Sequence, residues 1–226
     1  MWEFINKIIS QLVLDLSEYW KSRGPGYKSE FNNQPKSVRT LFEEQERKTI
    51  NLIQKYKFSK ILEIGCGSGR YTKILHDLCK PERYLAVDIS IDQIENAKKY
   101  VGNNKVDFQC SRIQDLNINE KFELVFASEV LMHIQFNDIN DTIKKLISYS
   151  SNKIISIDWF DKNKIGSEAS GYCFMHDYEK IFKKNGAKKI TIHKLPLTIH
   201  YKMTGIYAKL RGRHGIDTQA IIEIDV

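Results

Sequence analysis

The sequence predicts an α/β fold in which helices cover both faces of a mainly parallel sheet. From residue 60 onward, short apolar runs typical of buried strands alternate with stretches of helical periodicity. Such alternation places the strands side by side in one sheet and the intervening helices on its two faces. The chain has 226 residues, of which 42% are hydrophobic, so it can bury one sizeable core.

The predicted elements follow one another with short connections. The predicted strands are 60–64, 83–88, 106–110, 122–127, 153–158 and 188–194. The predicted helices are 70–79, 91–100, 138–149 and 176–185. Two further strand candidates, 205–210 and 220–224, flank an Arg- and Gly-rich turn near the C-terminus. Ser90 and Gln93 have the spacing of a capping box for the helix that starts at Ile91.

Two predicted helices precede the first strand. Apolar residues recur at helical spacing over 1–22, and the sequence Arg-Gly-Pro-Gly at 23–26 ends this helix. A second helix is predicted over 38–57. We therefore expect a helical extension over 1–45 and the sheet domain over 46–226.

The charge and cysteine patterns exclude several protein classes. The net charge of +7 comes mostly from scattered lysines, which is typical of a solvated surface rather than of a nucleic-acid groove. No apolar run approaches the roughly 20 residues of a membrane helix, and residues 1–16 lack the apolar core of a signal peptide. The widely spaced cysteines do not form the close pairs of a zinc site or a compact disulfide framework. We expect a cytoplasmic protein with no membrane partner.

Three alternating glycines after the first strand are the most informative feature. Gly65, Gly67 and Gly69 follow the apolar run 61–64 and precede a helix. Without a Cβ, such residues let the backbone turn sharply and lie against a ligand. The second strand ends in Asp88, and an acid at that place can accept hydrogen bonds from both ribose hydroxyls. Together these features predict a nucleoside cofactor.

An acid before the glycines narrows the choice of cofactor. The third glycine comes one residue earlier than in the dinucleotide-binding fingerprint, and Glu63 stands two residues before the first glycine. A carboxylate at that place would repel a pyrophosphate but attract a cationic amine. S-adenosylmethionine has such an amine, a sulfonium, a ribose and no phosphate.

At these residues the chain resembles the class I S-adenosylmethionine-dependent methyltransferases. Residues 63–69 match the first motif of that family and 87–90 match the second, and the resemblance extends over 58–158 and, loosely, 176–210. It implies S-adenosylmethionine as the cofactor. It also implies a Rossmann-like, seven-stranded, mostly parallel sheet with a terminal antiparallel strand, and a lid function for the helical extension 1–45.

Residues just beyond the strand ends are the predicted cofactor contacts, because ligands of such sheets bind there. Ile89 either packs on the adenine or belongs to the core. Ser111 stands where the resembled family usually has an Asp for the adenine amino group, and its hydroxyl or a backbone N–H near Arg112 can substitute. The predicted cofactor-binding residues are Glu63, Gly65, Cys66, Gly67, Gly69, Asp88, Ile89, Ser111, Arg112 and Ser128.

The resemblance implies that the segment after the fourth predicted strand faces the position of the transferred methyl. Glu129 and His133 are four residues apart and would share one face of a helix. His133 is either a general base for a hydroxyl or a structural histidine. His176 is the second candidate base, and its alternative is capping of the next helix together with Asp177.

We predict no metal at this segment. Magnesium-dependent members of the resembled family have Glu-x-x-Glu-His here, whereas this chain has Met132 in place of the second Glu. A thioether is a poor ligand for a hard cation, which prefers oxygen.

The predicted function is methyl transfer to an oxygen, or a nitrogen, of a small molecule, with a sugar or saccharide precursor as the first acceptor class. Motifs that mark methylation of nucleic-acid bases, Asn-Pro-Pro-Tyr, Asp-Pro-Pro-Tyr and Pro-Cys, do not occur over 127–134. The basic charge keeps an RNA methyltransferase as an alternative. A non-catalytic S-adenosylmethionine-binding subunit is another, because Glu63 and Asp88 indicate binding but not turnover.

Overall fold

A computed structural model of the chain describes residues 18–24, 36–102, 105–169, 172–195 and 219–226. The strands are β1 (Lys60–Ile64), β2 (Arg83–Asp88), β3 (Val106–Cys110), β4 (Phe122–Ser128), β5 (Ser150–Trp159), β6 (Glu168–Ala169), β7 (Cys173–Phe174), β8 (Lys189–Leu195) and β9 (Gln219–Asp225). The α-helices are α1 (Lys36–Ile53), α2 (Arg70–Cys79), α3 (Ile91–Val101), α4 (Ile139–Tyr149) and α5 (Tyr178–Lys184). Residues 18–24 are also helical, and short 3-10 turns cover Leu131–His133 and Lys162–Lys164.

Seven of these strands form one sheet in the order β3-β2-β1-β4-β5-β9-β8. The first five strands of the chain pair in parallel, and β9 is antiparallel to both of its neighbours. The predicted seven-stranded, mostly parallel sheet with a terminal antiparallel strand is confirmed. Strand order reverses between β1 and β4, and this reversal opens a crevice at the carboxyl ends of these strands.

Helices cover both faces of the sheet because apolar side chains point alternately to the two sides. In β1, Leu62 and Ile64 belong to the cluster that also contains the buried faces of α4 and α5. Ile61 of the same strand points the other way, into the cluster that buries apolar residues of α1, α2 and α3. The period of two along this strand therefore determines which helices pack on which face.

Most predicted elements are confirmed, and the later start of one helix has a clear cause. Helix α5 begins at Tyr178 rather than 176, because the Asp177 carboxylate accepts the Lys180 N–H at 3.0 Å and caps the helix. Helix α1 ends at Ile53 rather than 57. The candidate strand 205–210 lies outside the described residues, and the candidate 220–224 is β9.

Helix α1 packs with the sheet. Its residues Gln45, Thr49 and Ile53 are each 0% exposed. The predicted boundary after residue 45 falls inside this helix, so only residues before α1 are candidates for a separate lid. Within the described part of the chain, no helix has both the length and the apolar character needed to cross a lipid bilayer.

A buried charged cluster ties β5, β8 and β9 together, level with the start of β1 and away from the glycine turn. The Lys153 ammonium contacts Asp225 and lies 3.0 Å from Glu223 Oε1. The Tyr56 hydroxyl donates to the same oxygen at 2.5 Å, and His193 Nε2 lies 2.9 Å from Glu223 Oε2. Burial alone would raise the pKa of Glu223, but the hydrogen bonds from Tyr56, His193 and Lys153 lower that pKa to about 2.

Acid should therefore destabilise the fold through Glu223. Its pKa is lower in the folded than in the unfolded chain, so its stabilisation is present above pH 4.5 and is lost as the pH falls toward about 2. We expect a loss on the order of 1–2 kcal/mol, a value reduced by solvent screening at this partly accessible cluster. Urea unfolding of wild type and Glu223→Gln across this pH range measures it. An equally steep acid dependence in the variant would contradict this assignment.

Candidate active site

The glycine turn between β1 and α2 has a backbone that only glycine adopts without strain. Gly65, Gly67 and Gly69 all have positive φ, at 69°, 53° and 90°. A Cβ on Gly65 would lie 2.3 Å from a Val130 methyl carbon, so this position also requires the small residue for space. A Cβ on Gly67 would meet no described atom within 4 Å, because this residue faces an open cavity.

Asp88 ties the tip of β2 to the glycine turn. Its Oδ2 accepts the Gly67 N–H at 2.8 Å, and its Oδ1 accepts the Ser90 N–H at 2.9 Å. Burial raises the pKa of Asp88, and these backbone hydrogen bonds oppose that shift. Each carboxylate oxygen has a second lone pair, so the two oxygens can also accept hydrogen bonds from a ligand.

The start of α3 extends this network. Ser90 Oγ accepts the Gln93 N–H at 3.4 Å, which confirms one half of the predicted capping box. The other half is replaced, because the Ser90 N–H donates to Asp88 and the Gln93 amide donates to the Gly24 carbonyl at 3.3 Å. The helical segment 18–24 is thus connected to Asp88 through α3.

Glu63 lies at the floor of the cavity. It is 2% exposed, and its Oε2 accepts hydrogen bonds from the hydroxyls of Thr72 at 2.6 Å and Tyr84 at 2.8 Å. Burial raises the pKa of Glu63 to about 7, and the two hydroxyls partly oppose this. A cationic group in the cavity would favour the ionised carboxylate.

One cavity of about 570 Å³ brings most predicted site residues together. Its walls include the predicted cofactor residues Glu63, Gly65, Cys66, Gly67, Asp88, Ile89, Ser111, Arg112 and Ser128. Gly69 lies outside the walls, at the N-cap of α2. Trp20 and Arg23 of the segment 18–24 also line the cavity. The Ser128 hydroxyl is buried and has no hydrogen-bond partner among the described residues, so it is available to a bound molecule.

His133 lines the same cavity, on the 3-10 turn after β4. Its Nδ1 lies 2.7 Å from the Tyr172 carbonyl oxygen. A carbonyl only accepts, so Nδ1 carries the proton and Nε2 carries the lone pair. Burial lowers the pKa of His133 to about 4, so the ring is neutral at neutral pH. The Trp20 ring packs on this imidazole with 4.3 Å between ring centroids.

Asp158, near the end of β5, forms a hydrogen bond with this 3-10 turn. Its Oδ1 accepts the Met132 N–H at 3.0 Å, and its Oδ2 accepts the Ser156 hydroxyl. Both Asp158 and Ser156 are 0% exposed, and burial raises the pKa of Asp158 to about 7. Met132 itself is buried, and the described residues contain no cluster of three or more potential metal ligands.

His176 lies outside the cavity. It is 2% exposed, and its Nε2 donates to the Ile134 carbonyl at 2.9 Å. The rings of Phe136, Phe174 and Tyr178 surround it. These contacts hold the loop before α5 and do not support His176 as a base. The alternative interpretation is a structural role at the start of this helix, and the neighbouring Asp177 does cap it.

Glu129 follows β4 directly and has an unusual backbone. Its φ is 57°, and Lys80 is the other non-glycine residue with positive φ in the described part of the chain. A non-glycine residue in this region costs about 1–3 kcal/mol. Its side chain accepts hydrogen bonds from Gln45 and Gln219, which sequence reasoning did not find. Gln45 and Gln219 lie 174 positions apart, so no local motif marks them.

The part of the chain that forms much of the cavity matches a known protein family. Residues 61–150 match a family model described as a methyltransferase domain. Malonyl-(acyl-carrier protein) O-methyltransferase of Acetivibrio thermocellus is 34% identical over 101 residues, which are 44% of this chain and 35% of that protein. The chain therefore spans about a third of the length of this curated relative.

Solved structures share the fold across nearly the whole chain. The N-methyltransferase NodS from Bradyrhizobium japonicum WM9, in complex with S-adenosyl-L-homocysteine, has a TM-score of 0.69 at 14% identity, with 93% of this chain and 98% of that chain covered. Magnesium protoporphyrin IX methyltransferase from Synechocystis PCC 6803 with bound S-adenosylmethionine has a TM-score of 0.67 at 14% identity, with 94% and 97% covered.

The sheet order, the glycine turn and the matched domain all agree with the family predicted from the sequence. The predicted cofactor, S-adenosylmethionine, is the cofactor that this family uses. Residues 61–150 match a methyltransferase domain, and the chain has the Rossmann-like fold of the class I S-adenosylmethionine-dependent methyltransferases to which it is similar.

Proposed function

We propose that this protein transfers a methyl group from S-adenosylmethionine to an oxygen of a small molecule, with a sugar or saccharide precursor as the first candidate acceptor. The observation that carries the proposal is the shared cavity, which joins the glycine turn and Asp88 to His133. When bound, S-adenosylmethionine supplies an electrophilic methyl group on a sulfonium. The widely spaced cysteines support a reducing, cytoplasmic site of action.

The cofactor half of the cavity would be built by the glycine turn and the two strand tips beside it. The open side of Gly67 gives room for a ligand against the backbone. Asp88 would accept from ribose hydroxyls, and Glu63 would face the amino group. The unpartnered Ser128 hydroxyl and the polar atoms of Ser111 supply further hydrogen bonds.

His133 would take the proton of an acceptor hydroxyl. The Tyr172 carbonyl fixes its tautomer, so the lone pair is on Nε2. The low pKa keeps the ring neutral and ready to accept a proton at neutral pH, although it also makes the imidazole a weak base. Much of the rate would then come from holding the acceptor in line with the methyl group and excluding water.

The segment 18–24 would close the cavity over the acceptor. The Trp20 ring packs against His133 at a tilted angle, Tyr19 stacks on Tyr172 at 5.1 Å between ring centroids, and Arg23 lines the wall. These contacts support the proposed lid, which we assign to residues before α1.

Transfer of a tritium-labelled methyl group from S-adenosylmethionine tests the proposed function. The label should enter small molecules of a cell extract, and it should do so in the presence of EDTA. Label in RNA, with binding that falls steeply as salt is raised, would favour the RNA methyltransferase. Cofactor binding without transfer to any extract component would favour a non-catalytic subunit.

Asp88→Ala should weaken binding of S-adenosylhomocysteine by about 1.5–3 kcal/mol, the scale of lost hydrogen bonds to a charged group. The variant also lacks the hydrogen bond that the Gly67 N–H donates to Asp88, so a change in the glycine turn contributes to the loss of affinity. Calorimetric titration measures the change, and circular dichroism checks the fold. Unchanged affinity in a folded variant would contradict the ribose role.

His133→Asn should lower kcat by roughly 10²-fold, the lower end of the usual contribution of a general base, because the low pKa makes this imidazole a weak base. The Kd of S-adenosylhomocysteine should change little, because the imidazole is assigned to the acceptor side. His176→Gln is the matched control, since a glutamine amide can still donate to the Ile134 carbonyl outside the cavity. Equal losses of kcat in both variants would argue against a specific role for His133.

Trp20→Ala should reduce acceptor turnover more than cofactor affinity, because Trp20 packs on His133. Steady-state kinetics and calorimetry on the same preparation separate the two effects. If the variant keeps its turnover but loses cofactor binding, the segment 18–24 is part of the cofactor site instead of a lid.

A further inference from the structure

Glu129 places a carboxylate in the cavity wall beyond the residues assigned to the cofactor. Its N–H donates to the Ile157 carbonyl at 2.7 Å, which fixes the backbone at the edge of the sheet. The backbone is in the left-handed region that favours glycine or asparagine. Strained residues of this kind concentrate at functional sites, where the surrounding structure holds them in place.

Two buried amides hold the Glu129 side chain. Gln45 of α1 donates to Oε1 at 3.1 Å, and Gln219 of β9 donates to the same oxygen at 3.0 Å. Gln45 also donates to the Gln219 side-chain oxygen. The two glutamines are 0% and 3% exposed, so water does not compete at these bonds.

The arrangement of Glu129, Gln45 and Gln219 has two features that destabilise the folded state. The Gln45 side-chain oxygen is buried and has no hydrogen-bond partner among the described residues. An unsatisfied buried acceptor and a strained backbone both oppose folding. Both unfavourable features accompany a fixed orientation of the Glu129 carboxylate.

The donors on Glu129 are neutral, so its negative charge is not cancelled by them. Both amides donate to Oε1, and among the described residues none donates to Oε2. His133 lines the same cavity, and its Nε2 carries a lone pair because Nδ1 donates to the Tyr172 carbonyl. Two acceptors favour a ligand that donates hydrogen bonds and disfavour a carboxylate.

We propose that Glu129, positioned by Gln45 and Gln219, binds the methyl acceptor through a hydrogen-bond donor of that molecule, either a protonated amine or a hydroxyl next to its reacting group. The inference rests on the proposed function and adds the class of acceptor. An acceptor with a carboxylate at this wall would be repelled by Glu129.

Three small probes test this inference on the full chain saturated with S-adenosylhomocysteine. Ethanolamine offers an ammonium, ethylene glycol offers hydroxyls, and acetate offers a carboxylate. Nuclear magnetic resonance titration gives the Kd of each. We expect acetate to bind about tenfold or more weakly than the better of the two donors, the scale of a hydrogen bond to a charged group. The tighter donor identifies ammonium or hydroxyl recognition.

Variants connect the preference to Glu129. Glu129→Gln should abolish it and leave the Kd of S-adenosylhomocysteine within about threefold, because a charged hydrogen bond to the acceptor alone is lost. Gln219→Leu, or Gln219→Met if leucine prevents folding, should reduce the preference at unchanged cofactor affinity. Glu44→Gln is the control, since Glu44 lies on the same helix as Gln45 but pairs with Arg47 and Lys48 at the surface.

The outcomes separate the two proposals. Acetate that binds as tightly as the donors, no binding of any probe, or a preference that survives in Glu129→Gln would each overturn the role of Glu129. An unchanged preference in both Gln219 variants would overturn the positioning role. Failure of the wild type to bind S-adenosylhomocysteine would instead overturn the proposed function.

Discussion

The buried carboxylate of Asp88 is the interaction on which the site depends. Through Gly67 it sets the shape of the glycine turn, and through Ser90 it sets the start of α3. Gln93 continues this chain of hydrogen bonds to the Gly24 carbonyl of the segment 18–24. One strand-tip acid therefore connects the ligand-facing backbone to the proposed lid. A ligand that binds Asp88 would therefore affect both the glycine turn and the proposed lid.

The carboxyl end of β4 shows a different balance. His133 and Glu129 are held by groups from distant parts of the chain, the Tyr172 carbonyl and the two glutamine amides. A strained backbone and a buried unpartnered oxygen oppose folding here, whereas the charged cluster around Glu223 stabilises the sheet level with the start of β1. The stability of the sheet thus offsets the unfavourable features that accompany the fixed orientation of Glu129.

The sheet and the residues that meet at the glycine turn could be predicted from the sequence because their signals are local. Apolar runs and glycines with positive φ act within a few residues, and Asp88 lies at the tip of the strand beside the turn. The contacts that hold Glu129 and His133 could not be predicted, because Gln45, Gln219 and Tyr172 reach these residues only through the tertiary fold. His176 resembled a catalytic histidine in sequence for the same reason, since only the fold shows that its ring is buried outside the cavity.

We assign Glu63, the glycine turn and Asp88 to a site for S-adenosylmethionine rather than for a dinucleotide. Calorimetric titration of the full chain with S-adenosylhomocysteine and, separately, with NAD tests this assignment. We expect saturable binding of S-adenosylhomocysteine and no measurable binding of NAD, because the carboxylate at Glu63 and the early third glycine do not suit a pyrophosphate. Tighter binding of NAD than of S-adenosylhomocysteine would contradict it.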